Sequence, residues 1–470
     1  MVATLETSEF AGRDIAVVGL ARTGVAAAVR LAGLGARVVA SDVARGPQLA
    51  EHAAAAERAG AAVRLGACPE EALEGAEIVV TSPGVARDSS VLRLARDRGL
   101  SILSEIEVAY RIARAPVLAV TGTNGKTTTA MLLGHLLRAA GERTWVAGNI
   151  AADDVKQTLI AAAADAGAED VIVAEVSSFQ LEWVERFRPE IGILTNITPD
   201  HLNRHGSFEA YAACKERLFA AQRPGDVAVL NAVNAPARRI GERVPSRVMW
   251  FDRGHSGARD RAHVRDGALC VRWAGEEVDL CRAADLKVPG THNVENALAA
   301  AAAAIAFGAD PGMVAAALVT FAGVPHRMEP VVERCGVLYV NNSMCTNTDA
   351  AVRSLAAMDR PTVVIAGGLD KGADFAPFGA AIARHARHLV VIGQAAEAIS
   401  SAARASGFDR VSRAASMEEA VQEAARIAVT GDAVMLTPAC ASQDMFADFE
   451  ERGRAFREAA HRLPSPGGAP

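Results

Sequence analysis

The sequence predicts an α/β protein of three successive units, each built on an open, largely parallel sheet. Three observations lead there. Short apolar runs alternate with helix-period segments from residue 15 to residue 436. A glycine-rich turn joins an apolar run to a helical segment at 121–128. A chain of 470 residues, 50% apolar, is too long for one core and long enough for about two to four domains.

In order, the first unit reads as strand 15–20, helix 25–34, strand 38–41 and strand 78–81. The second begins with strand 117–121, enters a helix over 126–140 and continues through strands 171–175 and 191–196, apolar throughout and so expected buried on both faces. Residues 253–275 are turn-rich and alternating, with 268–273 as a short antiparallel strand, followed by helices at 294–307 and 313–321. The third unit starts near residue 331 and carries strands 338–341, 362–366, 389–392 and 433–436. Proline and glycine at 464–470 predict a frayed tail.

Charge and composition exclude several classes. A formal net charge of −6 argues against a nucleic-acid binder, which needs a basic face to displace counterions. The alanine-rich runs are broken by charges before they reach membrane-spanning length, and residues 1–12 lack the basic-then-apolar pattern of an export signal. The seven cysteines are scattered, form no CxxC pair, and read as small core residues in a reducing compartment. A cytoplasmic enzyme is expected, with no nucleic-acid or membrane partner.

The strongest local signal is Thr121-Gly122-Thr123-Asn124-Gly125-Lys126-Thr127-Thr128, placed between strand and helix. Glycines let backbone amides turn toward a phosphate chain, the helix N-terminus adds partial positive charge, Lys126 a full one, and Thr127 a hydroxyl for magnesium. Val120 stands where the strict phosphate-loop spacing has its first glycine. Near the N-terminus Gly19-Leu20-Ala21-Arg22-Thr23-Gly24 follows a strand and Asp42 ends the next, a pattern shared by nicotinamide-nucleotide sites and by plain strand–turn–helix packing. Alanine at its second glycine hinders approach to a pyrophosphate. Glu175 and Asp200-His201 fall at strand ends, where open α/β sheets bind ligands; they can converge on the phosphate loop to hold magnesium, or His201 can be a surface hydrogen-bonding histidine.

Lys215 sits within the apolar stripe Phe208, Tyr211, Ala212, Leu218 and Phe219 of a helical segment over 208–222. Either it snorkels to water, or it is desolvated, which favours a neutral amine able to take up carbon dioxide as a carbamate. Lys371 directly follows Gly367-Gly368-Leu369-Asp370 at a strand end, where a point cation suits a dicarboxylate; alone it would be ordinary solvated surface.

In order, GLARTG, TSPGV, TGTNGKTT, GNI, EVSSFQLE, NITPDHLNRH, YAACKERLF, GTHNVEN, PHRME, GGLDKGADF and TPACASQDMFADFEERG together resemble the Mur ligase family over nearly the whole chain, nearest its glutamate-adding branch. The resemblance implies a three-domain architecture: an N-terminal Rossmann-like UDP-binding domain at 1–114, a central ATPase at 115–325, and a C-terminal Rossmann-like amino-acid domain at 326–463, with the tail 464–470. It implies an ATP-dependent ligase that activates a carboxylate as an acyl phosphate and joins glutamate to UDP-N-acetylmuramoyl-L-alanine in peptidoglycan synthesis; a monomer is expected, although the sequence does not itself give the oligomeric state. Its implied cofactors are ATP and two magnesium ions, with Lys215 carbamylated. On that basis Arg22, Thr23, Asp42 and Gly84 surround the uridine diphosphate, and Asn149 and Ser177 contact the sugar-peptide. The loop from Gly122 to Thr128 holds the ATP phosphates; Asn293, Asn296, Arg327 and Asn342 complete the nucleotide contacts. Thr127, Glu175, His201 and Lys215 bind metal, and Thr346, Lys371, Ser442 and Phe449 take the incoming amino acid.

One segment departs from the family, which reads Asp-Ser-Lys-Ala-Thr-Asn where this chain has Asn342-Ser343-Met344-Cys345-Thr346-Asn347. A carboxylate and a cation have both gone, and losing an acid and a base together is closer to neutral than losing either. The reading is an active, divergent ligase. Other readings are a relative with another acceptor, such as folylpolyglutamate synthetase, a ligase for L-glutamate, a nucleotide-binding protein without turnover, and a nicotinamide dehydrogenase.

Overall fold

A computed structural model describes residues 9–46, 49–150, 157–254, 257–288, 290–370 and 372–463. The chain divides into two compact units, one ending at Phe321 and one starting at Ala322. The expected frayed tail lies outside the described residues.

The first unit contains two sheets. The N-terminal one has strands β1 (Asp14–Val18), β2 (Arg37–Asp42), β3 (Ala62–Leu65), β4 (Ile78–Thr81) and β5 (Ser101–Ser104), all parallel in the order β3-β2-β1-β4-β5. Strand β1 stops at Val18 rather than residue 20, because Gly19 turns the chain at φ 88°. Chain direction across the sheet reverses between β1 and β4, which opens a crevice beyond their carboxyl ends.

The central sheet has nine strands: β6 (Val117–Thr121), β7 (Arg143–Gly148), β8 (Asp170–Glu175), β9 (Ile191–Leu194), β10 (Val227–Asn231), β11 (Arg247–Phe251), β12 (Arg261–Arg265), β13 (Ala268–Trp273) and β14 (Glu276–Arg282). Their order is β14-β13-β12-β11-β10-β9-β6-β8-β7, parallel from β7 through β12, with β13 and β14 added antiparallel. Every residue of β6, β8, β9 and β10 is buried, as strands covered on both faces require. Of the antiparallel strands, the expected 268–273 is present; β12 and β14 are additional. Two-residue turns join them, Asp266-Gly267 and Ala274-Gly275, both residues of each with positive φ as such hairpins demand.

The helix Lys126–Ala139 follows β6 and packs against Thr291–Phe307, an alanine-rich helix that starts earlier than residue 294 and so carries Asn293 and Asn296 in its first turns. Helix Pro311–Leu318 begins earlier than the expected 313 because Asp310 caps it, accepting from Met313 N at 2.9 Å. A single apolar cluster runs from Phe10 to Ile240 and so spans both sheets of this unit.

The second unit is one six-stranded sheet: β15 (Glu329–Arg334), β16 (Val337–Asn341), β17 (Thr362–Gly367), β18 (Ala386–Ile392), β19 (Val411–Arg413) and β20 (Ala433–Leu436), in the order β15-β16-β20-β17-β18-β19. Only β15 is antiparallel, joined to β16 through Cys335-Gly336, again both at positive φ. The cysteine expectation needs correction: Cys214, Cys270, Cys345 and Cys440 are buried, but Cys68 and Cys335 are exposed and Cys281 is half-buried. All seven are free thiols.

Candidate functional site

Strand β6 delivers the glycine-rich turn to the carboxyl edge of the central sheet, flanked by β8 and β9. Gly122 (φ 149°) and Gly125 (φ 81°) adopt conformations that side chains avoid, and a Cβ at either would collide, with the Thr195 hydroxyl and the Asn296 amide respectively. Strand β9 ends at Leu194, two residues short of expectation, because the next two residues turn inward onto the loop. Thr195 Oγ1 donates to Asn124 O at 2.5 Å, Asn196 Nδ2 donates to the same oxygen at 3.2 Å, and Asn124 N donates to Asn196 Oδ1 at 3.0 Å. Lys126 Nζ donates to Thr123 O at 2.9 Å, Thr128 is half-buried, and Thr129 Oγ1 donates to Asn296 Oδ1 at 3.3 Å. Asn296 Nδ2 reaches Asn293 Oδ1 at 3.1 Å, so both asparagines sit against the loop's helix.

Glu175 ends β8, and its Oε2 accepts from Thr127 Oγ1 at 2.7 Å. Two hard oxygen groups therefore share one point at the mouth of the turn, which is the donor chemistry magnesium selects. Asn149 N donates to Glu175 O at 2.9 Å. His201 caps the one-turn helix Leu202–His205 in the left-handed region (φ 51°), its side chain 49% exposed and 3.7 Å from Asp200. Among the described residues no three His, Cys, Asp or Glu side chains cluster closely enough to hold a metal, so an ion at Thr127 and Glu175 would complete its shell with water and phosphate oxygens.

Lys215 is 1% exposed, so it is desolvated rather than snorkelling. It lies on the helix Phe208–Glu216, which continues as a 3-10 turn only to Phe219 because Pro224 disfavours further helix. Its Nζ donates to Gly122 O at 2.7 Å and weakly to Thr121 Oγ1 at 3.4 Å, and stands 4.8 Å from the Tyr211 ring centre. Burial, then the Lys126 charge, holds its pKa well below the usual lysine value; Asp200 and Glu175 oppose them in part.

In the N-terminal sheet a cavity of about 380 Å³ opens at the β1/β4 crevice, lined by Gly19, Asp42, Ser82, Gly84 and Val85 among others. Asp42 accepts from Leu20 N at 2.8 Å and Ala44 N at 2.9 Å, which fixes the rim. Gly24 admits no side chain, since a Cβ would strike Gly19 O and Ser82. Thr23 is half-buried. The Arg22 guanidinium reaches Gly148 O and Ile150 O only at 3.4 and 3.5 Å, leaving it available to an anion.

In the second unit Asn342, Thr346, Ser442 and Phe449 stand on loops beyond the carboxyl ends of β16 and β20 or at the helix that follows. Asn342 is buried, donating to Thr437 Oγ1 at 3.2 Å and accepting from Met328 N at 3.2 Å. A neutral amide meets both partners, whereas an aspartate at this buried position would bring a desolvated charge. Ser442 Oγ is buried with no partner among the described residues, while Thr346 is exposed and the Phe449 ring packs edge-on to His326 at 6.2 Å. Arg327 N donates to Val324 O at 3.2 Å. Lys371 lies outside the described residues.

Family models match in chain order: the Mur ligase MurD-like N-terminal domain over 13–104, the Mur ligase middle domain over 120–304, and the Mur ligase glutamate ligase domain over 326–440. A UDP-N-acetylmuramoylalanine--D-glutamate ligase of Pelotomaculum thermopropionicum is 44% identical, covering 96% of this chain and 98% of its own. The chain belongs to the Mur ligase family. A ligase of the same name from Caldanaerobacter subterraneus subsp. tengcongensis is 42% identical over 97% of this chain and 99% of its own. Two solved Mur-type structures share the fold. A pseudomurein peptide ligase type C of Methanothermus fervidus has TM-score 0.56 and 20% identity, covering 96% of this chain and 100% of that one. The UDP-N-acetylmuramate-alanine ligase MurC of Thermotoga maritima has TM-score 0.56 and 21% identity, covering 96% and 99%.

This Mur ligase also uses residues that the sequence reading passed over. Arg452 is fully buried and donates to Ser343 Oγ, Ser343 O, Cys440 O and Ala441 O at 2.9–3.1 Å, tying the β16 and β20 loops together. It shares an apolar helix face with Phe456, Ala459 and Ala460, the same pattern that marks Lys215. Glu105 is 3% exposed and accepts from Gln180 Nε2 at 2.7 Å; Gln180 Oε1 in turn accepts from Ser177 N at 2.9 Å and Ser177 Oγ at 3.1 Å. Burial pushes the Glu105 carboxyl up to about 7 despite that bond and the Arg22 charge. No sequence period announces Glu105.

Proposed function

We propose that this Mur ligase uses ATP to join glutamate, in the D form named for its relatives, to UDP-N-acetylmuramoyl-L-alanine in the cytoplasm, as a step of peptidoglycan synthesis. The observation that carries the reading is the Thr127–Glu175 contact beside Lys126, on a turn whose glycines admit no side chains. No helix among the described residues is long and apolar enough to cross a membrane.

Residues 1–114 serve the uridine nucleotide through Arg22, Thr23, Asp42 and Gly84, 115–325 serve ATP, and 326–463 serve the amino acid. Asn149 and Ser177 orient the sugar-peptide. Asn293, Asn296, Arg327 and Asn342 are assigned to ATP, and Thr346, Lys371, Ser442 and Phe449 to glutamate; the buried Ser442 hydroxyl, without a partner among the described residues, supports that assignment. Thr127 and Glu175 would hold magnesium, with His201 and Lys215 serving a second ion. When bound, magnesium polarises the phosphate oxygens.

The substrate carboxylate attacks the γ-phosphorus of ATP, the bond to ADP breaks, and Lys126 offsets the charge that develops. The neutral amine of glutamate then attacks the acyl carbon of the acyl phosphate, phosphate leaves, and the amine proton passes to His201 or to that phosphate. Lys215 reacts as a free amine with carbon dioxide, giving a carbamate and a proton. Its burial beside the Lys126 charge supports that, since a carbamate converts a repelled cation into an anion.

Phosphate release by the purified full chain, with ATP, UDP-N-acetylmuramoyl-L-alanine and a panel of amino acids including both glutamate enantiomers, tests the reading. Release that requires D-glutamate supports it; release only with L-glutamate or another acceptor corrects the acceptor. ATP binding with no release under any condition supports a second reading, a binding protein without turnover, for which the motive is Asn342 and Met344.

A further inference from the structure

The helix Leu202–His205 is a single turn, too short to hold its own position. It is closed by Arg204 N and His205 N donating to His201 O at 3.0 and 3.1 Å and by Gly206 N donating to Leu202 O at 2.8 Å. Two side chains anchor it: His205, whose Nε2 lies 3.0 Å from Ser178 Oγ and whose ring packs on Phe179 and Tyr211, and Arg204, 14% exposed. The guanidinium makes a two-point fork to Glu182, Nε to Oε1 at 3.0 Å and Nη2 to Oε2 at 2.7 Å, and lies over the Phe179 ring with Cζ 4.5 Å from its centre. The same Nη2 donates to Val85 O at 2.8 Å. Val85 lines the cavity at the N-terminal sheet, next to Gly84, so this one planar group touches both the wall of the nucleotide cavity and the turn that carries His201.

We propose that Arg204 is a positioning residue that couples occupancy of the N-terminal nucleotide cavity to the placement of His201. The proposal rests on the functional reading above. A ligand that orders the 82–86 loop fixes the carbonyl that Arg204 must reach. Glu182, itself buried, fixes the plane of the guanidinium, so a displaced Val85 O is followed by the backbone of Arg204 and with it by His201 three residues earlier. A lysine can meet Glu182 or Val85 O, but its point charge cannot keep the fork while reaching the carbonyl. Arg204 touches no reacting atom in this scheme.

The test uses the full chain with ring-labelled histidine, the His201 resonance being assigned by its loss in His201→Gln. UDP titrated into the wild type is expected to shift that resonance. In Arg204→Lys, UDP should bind within about threefold of the wild-type affinity yet leave the resonance unmoved, and kcat should fall about tenfold with KM for ATP unchanged. Arg204→Ala should behave likewise and recover part of kcat with added guanidinium; Arg204→Lys, which keeps the charge and stem, decides the matter if the alanine variant does not fold. An equal UDP-induced shift in wild type and Arg204→Lys overturns the coupling, as does an unchanged kcat. Failure of UDP to bind the wild type overturns the functional reading itself, and this inference with it.

Discussion

Each of the two units buries a cation in the apolar stripe of a helix, and the two cations are treated in opposite ways. In the second unit, Arg452 directs four hydrogen bonds to three backbone carbonyls and a hydroxyl, engaging all three of its nitrogens. Burial lowers its pKa only to about 10, so it stays charged at neutral pH and holds two loops in register. In the first unit, Lys215 has one short bond, one long one and an aromatic face. Its cost of desolvation is poorly compensated, and Lys126 adds repulsion. A saturated buried charge fastens a structure, whereas an unsaturated one is poised for chemistry.

The largest expected effects test the reactive side of that contrast. Lys126→Ala should lower phosphate release by about 10³-fold or more, since no other cation of the turn can compensate charge on the phosphates. Lys215→Ala should cost about 10²- to 10³-fold, with part of the activity restored by a short carboxylate added to the buffer, and with thermal stability unchanged or higher. A lysine variant that is destabilised but fully active would make Lys215 a fastener and erase the distinction.

Arg452→Met should show the opposite profile. Three buried carbonyls lose their donor, and unfolding free energy of the second unit should fall by about 3 kcal/mol in a denaturant melt. Next in size is a pH effect at Glu105, whose folded pKa of about 7 lies above the carboxylate's ordinary 4.5. The folded state then binds the extra proton, so the stability it contributes is full below pH 4.5 and is lost as pH rises through 7. Glu105→Gln, neutral at every pH, should match the wild type in acid and exceed it by on the order of 3 kcal/mol above pH 7, read from melts across that range. The smallest effect concerns the departure from the family. Asn342→Asp alone should cost about 1 kcal/mol of stability, and Asn342→Asp with Met344→Lys should recover part of it; simple additivity would deny that the two positions compensate one another.

Much of this is legible in the sequence. The phosphate turn is read from residue types whose backbone demands are local, because a glycine at positive φ and a helix N-terminus need no distant partner. Lys215 was legible as an interruption of a helical stripe, and Arg452 carried the same mark, although a longer, more often surface-exposed side chain in a charged helix hid it. The hairpin strands β12 and β14 were missed although Asp266-Gly267 was a plain turn signal, since arginine and glutamate along them break the apolar alternation through cross-strand ion pairs such as Arg261–Glu277.

Local sequence thus determined the apolar strands and helices of strongest period, the glycine turn and the family, because periodicity and backbone preference act over a few residues. Tertiary structure alone decided that Thr127 meets Glu175 across 48 residues of chain, that Gln180 relays between Glu105 and Ser177, and that Arg204 reaches Val85 across 119. Those contacts depend on strand order in the sheets, which sets neighbours by burial of whole faces and leaves no trace in the spacing of the residues that touch.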